Sequence, residues 1–166
     1  MVRMTEAGPE EQAIWAELGK IADPEIPVLS LVDMKVIRAV TIRESGVLVL
    51  FSPTYVGCPA TSMIMTEIRE HLHRLGYDDV EIETTFSPPW STDMLEEGVR
   101  EKLRVFGISP PPRESGDLNV ALAEPVACPF CGSAQTKLES AFGPTLCKQI
   151  YYCDHCLQSF ERFKPL

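Results

Sequence analysis

Two pairs of cysteines late in the chain restrict its folding more than any other feature. Cys128-Pro129-Phe130-Cys131 and Cys153-Asp154-His155-Cys156 are both of the C-x-x-C type, and 21 residues separate them. Such a segment folds as a tight knuckle whose two thiolates bind one ion at about 2.3 Å, and Gly132 lets backbone N–H groups turn toward the sulfurs. Four such ligands predict a closed tetrahedral zinc site, although four thiolates can also hold an iron–sulfur cluster. A ribbon of about 40 residues has too small a core to fold alone, so its stability is expected to come from the metal. Met1 to Ala7 is polar, with no secretory apolar region behind Arg3, and the chain is read as cytoplasmic. In that reducing compartment the spacing favours metal over disulfides. Cys147, six residues before Cys153, is a surplus thiol: a core residue, an alternative ligand or a redox partner.

The formal net charge is −9, and residues 126–166 are nearly neutral, so the acidity lies in the first 125 residues. That balance argues against non-specific nucleic-acid binding and against an anionic membrane surface, both of which need basic groups. No run approaches the roughly 18 apolar residues of a membrane-spanning helix. Small-molecule or protein partners are expected. The chain is expected to divide into an α/β domain over 1–109, a proline-bearing linker over 110–125 and the ribbon over 126–166, with a short docked strand at 118–122.

Within the first part, Ile14, Leu18 and Ile21 stand at spacings of four and three and predict an amphipathic helix over 9–22. It should end at Asp23-Pro24, because a residue before proline is pushed out of the α region. Residues 36–43 and 47–51 read as a β-hairpin about Glu44-Ser45-Gly46. The second run is apolar at every position, which predicts a central strand covered on both faces. A helix from Pro59 to about Leu75 follows, with Ile64, Ile68, Leu72 and Leu75 in one stripe, and then an alternating strand over 79–86. Asp93 and Glu96 resemble a capping box for a last helix closed by Gly107, with Leu95, Val99, Leu103 and Phe106 as its stripe. The order α-β-β-α-β-α predicts an α/β fold, a small three-stranded sheet with helices against it, followed by the four-cysteine zinc ribbon.

Between the central strand and its helix runs Ser52-Pro53-Thr54-Tyr55-Val56-Gly57-Cys58-Pro59. Pro59 suits the first helical position, which would place Cys58 at the N-cap, where unpaired N–H groups and the helix dipole favour a thiolate. A lone cysteine beside apolar residues is also commonly a small buried hydrophobe. Acyl transfer needs a base, and His71 and His73 lie about 20 Å along the same helix at 1.5 Å per residue. A Cys–His hydrolase is therefore disfavoured and a ligand-like or transfer-type thiol preferred, with a nucleophilic Cys58 kept as an alternative. The loop Asp23-Pro24-Glu25-Ile26-Pro27 is either an acidic connector or a device that turns Asp23 inward toward Cys58.

That acidic loop, the stretch Pro53-Thr54-Tyr55-Val56-Gly57-Cys58-Pro59-Ala60 and the later Pro88-Pro89-Trp90-Ser91-Thr92-Asp93 resemble the small α/β domain of iron–sulfur assembly factors of the SufT type and of the cytosolic iron–sulfur targeting proteins. The ribbon, with Gly143-Pro144-Thr145-Leu146-Cys147-Lys148 between its knuckles, resembles that of the PaaD family, accessory proteins of the phenylacetyl-CoA epoxidase system in bacterial phenylacetate degradation. The resemblance implies a non-catalytic accessory or maturation factor for the metal centres of a multicomponent oxygenase, with the epoxidase subunits as protein partners. It also implies Cys58 as the reactive cysteine and transient ligand, Asp23 as the acid of its loop, and Thr54 and Thr61 as neighbouring hydroxyls. Iron or an iron–sulfur cluster would be transient cargo beside the ribbon's zinc. One thiolate cannot complete a cluster site, so other ligands must come from a partner, a second protomer in a homodimer or a small thiol. A stoichiometric structural subunit of the oxygenase is the alternative under the same resemblance.

Overall fold

The computed structural model describes residues 8–111 and 125–165. The chain forms two compact units. One comprises the described residues up to Pro53 together with Pro59–Pro89, and the other comprises Thr54–Cys58 together with the described residues from Trp90 onward. The helix and sheet content follows the expected α/β order, with the cysteine ribbon after it.

In the first unit, helix α1 (Pro9–Leu18) is followed by strands β1 (Ile37–Arg43) and β2 (Gly46–Phe51), helix α2 (Thr61–Arg74) and strand β3 (Val80–Thr84). The β1–β2 pair is an antiparallel hairpin, while β2 and β3 run parallel, a pairing that needs a crossover connection, supplied here by α2. Ile14 and Leu18 of α1, Ile64, Ile68 and Leu72 of α2, and Val47, Val49 and Phe51 of β2 are all buried and form the core. Burying each such side chain is worth roughly 1.5–3 kcal/mol. Gly46 is required by close approach: a Cβ there would stand 2.0 Å from the Asp79 carbonyl oxygen, to which Val47 donates its N–H.

Four expectations need correction in these elements. α1 stops at Leu18 with Gly19 as its cap, four residues before the predicted end, and Ile21 is buried beyond the helix. β2 is central, but Leu48 and Leu50 are only half-buried, so a single face is fully covered. Leu75 falls outside the α2 stripe because it is the helix C-cap and 41% exposed. α2 begins at Thr61, with Ala60 as N-cap, rather than at Pro59.

The second unit contains a 3₁₀ turn at Thr92–Met94, helix α3 (Glu97–Phe106) and strands β4 (Ile108–Ser109), β5 (Thr136–Ser140), β6 (Lys148–Cys153) and β7 (Gln158–Phe163). The capping box at Asp93 does not form. Ser91 instead accepts the Asp93 N–H and caps the 3₁₀ turn, Leu95 is extended, and the α-helix starts only after Glu96. Gly107 closes α3 in the left-handed conformation, and Phe106 points out of the stripe at 52% exposure. The sheet order is β4-β7-β6-β5, with β4 parallel to β7 and the other pairs antiparallel. The strand expected at 118–122 lies outside the described residues.

Buried polar groups hold much of this unit together. Arg100 donates to the carbonyls of Leu95, Thr92 and Pro111. Lys148 Nζ lies 2.8 Å from Glu161, and Arg162 bonds the Tyr151 hydroxyl while its guanidinium covers the Tyr151 ring.

Candidate metal centre and thiol loop

The knuckles lie at one end of the β6–β7 hairpin and in the segment before β5. Cys128 accepts the Gly132 N–H at its carbonyl and donates its own N–H to Ser133, while Cys153 accepts the Leu157 N–H. Each knuckle therefore turns through a left-handed residue directly after its second cysteine, Gly132 at φ 74° and Leu157 at φ 59°. The two turns are alike in backbone and unlike in residue type, since only glycine adopts that conformation without cost.

The four sulfurs of Cys128, Cys131, Cys153 and Cys156 converge within 4.8 Å of one another, with Cys128 to Cys156 at 3.7 Å and Cys131 to Cys153 at 3.6 Å. A tetrahedron of sulfurs about 2.3 Å from a single ion has edges of about 3.8 Å, so these residues fit one tetrahedrally held metal. A multi-iron cluster, whose separate irons each take their own thiolates, would spread the sulfurs further apart. Cys128 and Cys153 are buried, Cys156 is half-buried and Cys131 is exposed. The Cys156 N–H, and after it the His155 N–H, hold the Cys153 thiol down at about 7 against the penalty of burial. Burial pushes the Cys156 thiol up to about 12. A bound cation reverses that burial effect by supplying the missing charge.

The other candidate residues divide between the units. Cys58 and Thr54 belong to the second, Asp23 and Thr61 to the first. Cys58 is half-buried and is not an N-cap. Its N–H bonds the Tyr55 carbonyl, closing a four-residue turn with Gly57 at φ 83° in the third position, where a type II turn requires glycine. Tyr55 and Val56 at the tip of this turn are exposed. The Asp23 carboxylate accepts the N–H groups of Glu25 and Ile26, so it shapes its own loop, a role compatible with the connector reading. Cys147 lies outside the converging four; its sulfur is 3.2 Å from the Thr145 hydroxyl.

Sequence reasoning weighed His71 only as a distant base for Cys58 and passed over Glu17, which joins α1 to His71 of α2, and Glu67 beside it. The spacing of Glu67 and His71 was the available signal, since residues four apart share a helix face.

Residues 113–164 match the family described as the PaaD zinc beta ribbon domain, and residues 11–84 match the iron–sulfur cluster assembly protein family. Over 160 residues the chain is 43% identical to a protein of Escherichia coli described as a putative 1,2-phenylacetyl-CoA epoxidase subunit, with 96% of each chain covered. Over 89 residues it is 35% identical to an Fe-S protein maturation auxiliary factor of Porphyromonas gingivalis, covering 52% of this chain and 84% of that one. The crystal structure of a domain of unknown function, DUF59, from Bacillus anthracis aligns with a TM-score of 0.52 at 23% identity, over 56% of this chain and 90% of that one, a likeness of fold. Among the described residues no helix is long and apolar enough to cross a membrane.

Proposed function

The chain belongs to the family of that Escherichia coli phenylacetyl-CoA epoxidase component, and from this premise we propose that it assists assembly of iron or iron–sulfur centres in a multicomponent oxygenase of phenylacetate degradation. The observation that carries this reading is the joining of an iron–sulfur assembly domain and a PaaD-type ribbon in one chain, matched along nearly its whole length by a single relative. The Porphyromonas gingivalis relative, named for iron–sulfur maturation, matches only about half of the chain and supports the handling role on its own.

In this reading the two sulfur sites have different tasks. Four converging thiolates complete the coordination of one ion, zinc by preference, and leave no open position for a transferred metal, so the ribbon is structural. Cys58 is a half-exposed soft ligand on a glycine turn, and it would hold cargo transiently with further ligands from a client protein. Asp23 would act through the shape of its loop, and Thr54 and Thr61 would supply the hydroxyls that stand four residues before and three after the thiol in sequence.

Cells carrying only Cys58→Ala should accumulate a folded protein with a full ribbon and a partner oxygenase low in iron. Normal iron content and activity of that oxygenase would overturn the proposal. The naming of the relative as a subunit favours a second reading, a stoichiometric structural component. It predicts that the chain co-purifies with the oxygenase in fixed ratio and that Cys58→Ala changes nothing.

A further inference from the structure

We propose that the first unit carries a divalent transition-metal site formed by His71 and Glu67 of α2, with Glu17 of α1 as its positioning residue. His71 Nδ1 lies 2.8 Å from Glu17 Oε1, and both side chains are largely buried. Lys20 Nζ holds the other Glu17 oxygen at 2.6 Å. An ionised carboxylate can only accept, so the proton of neutral His71 sits on Nδ1 and Nε2 presents its lone pair. A carboxylate fixing one imidazole nitrogen so that the other can bind a cation is the usual arrangement around metal-ligating histidines.

Nε2 is directed toward Glu67, one turn earlier on α2, with 3.9 Å between Nε2 and Oε2. That separation is too long for a hydrogen bond, yet two ligands each about 2.1 Å from one ion can stand up to about 4.2 Å apart. The pair lines a cavity of about 280 Å³ whose wall includes Lys20, Pro24, Ile64 and Met63. Water would complete the coordination in that space, and the Met63 thioether, one turn before Glu67, offers a soft donor. With His71 neutral, Glu17, Glu67 and Lys20 sum to one negative charge, which favours a cation. Imidazole with carboxylate selects Mn²⁺, Fe²⁺, Co²⁺ or Zn²⁺ over Mg²⁺ and Ca²⁺. Binding exchanges water on the ion for protein ligands, with no change of oxidation state. The site rests on the geometry of the first unit and stands whether or not Cys58 handles metal.

The test is a titration of the zinc-loaded full chain with Mn²⁺, followed by electron paramagnetic resonance. One bound ion with ¹⁴N coupling from a single histidine is expected. His71→Ala should erase the coupling, and both His71→Ala and Glu67→Gln should weaken binding at least tenfold, while His73→Ala binds as wild type. Glu17→Gln should weaken binding by about 10–100-fold. The ¹⁵N shifts of His71 should report one tautomer in the wild type and a mixture in Glu17→Gln, a readout that a merely structural role would not move. Glu67 is half-exposed, so its variant keeps the test open if His71→Ala misfolds. No binding at millimolar Mn²⁺, unchanged binding in Glu67→Gln, or nitrogen coupling that survives His71→Ala would each overturn the site.

Discussion

The two units bury different kinds of matter. Of the seven polar or charged residues buried among the described residues, Ser52 alone lies in the first unit; Thr92, Arg100, Ser109, Lys148, Gln149 and Arg162 lie in the second. The first unit is closed by apolar side chains from two helices, one face of a sheet and the segment between α1 and β1. The ribbon's own apolar cluster is small, Val126, Tyr151 and Phe160 with Cys128 and Cys153. Apolar burial is graded and tolerates small losses, whereas a buried charge or a metal ligand fails abruptly when its partner goes. The same chain thus combines a core that should erode under mutation with one that should switch.

Metal removal is the largest blow that contrast predicts. Structural zinc contributes roughly 10–16 kcal/mol in peptides of this ligand type, so a chelator or Cys153→Ser should melt β5–β7 while β1–β3 keep their amide protection. Hydrogen exchange with and without chelator measures this, and simultaneous loss in both units would break the comparison. Gly46→Ala drives a methyl into the Asp79 backbone and should cost about 3 kcal/mol in the first unit, with ribbon metal content unchanged by elemental analysis. Arg100→Ala removes the donor to three carbonyls and should cost about 2–3 kcal/mol in the second unit, with Arg100→Lys recovering only part in denaturant titrations. The mildest change is Leu157→Asn, which suits the left-handed turn better and should slow zinc release slightly and add a few tenths of a kcal/mol. A destabilisation there would mean that the exposed leucine makes a contact worth more than its backbone strain.

How far the sequence could be read followed from how local each cause is. The convergence of the four ribbon cysteines was legible because two C-x-x-C pairs each bring two thiols close together, and the helix stripes because Ile64, Ile68 and Leu72 repeat with the helical period. The Cys58 N-cap is misplaced because Pro59 satisfies a first-turn rule without stating that both Pro59 and Ala60 intervene between Cys58 and the helix. The late start of α3 has the same origin: Ser91 outcompeted Asp93 as a cap, and a choice between neighbouring caps depends on packing that periodicity does not contain. β4 is two residues long beside prolines, and its partner is more than fifty residues away, so no local pattern announces it. His71 of α2 looked ordinary alone because its partner Glu17 comes from another helix.

The strand order carries a consequence for synthesis. Of this sheet's described strands β7 comes last in chain order, yet it lies inside the sheet, with β4 on one side and β6 on the other. A nascent chain emerging residue by residue can pair β5 with β6 as soon as both are made, but β4, made earlier than either, has no partner until β7 follows. The first unit can complete its sheet once β3 has been made, whereas the second must wait for its final strand and its metal.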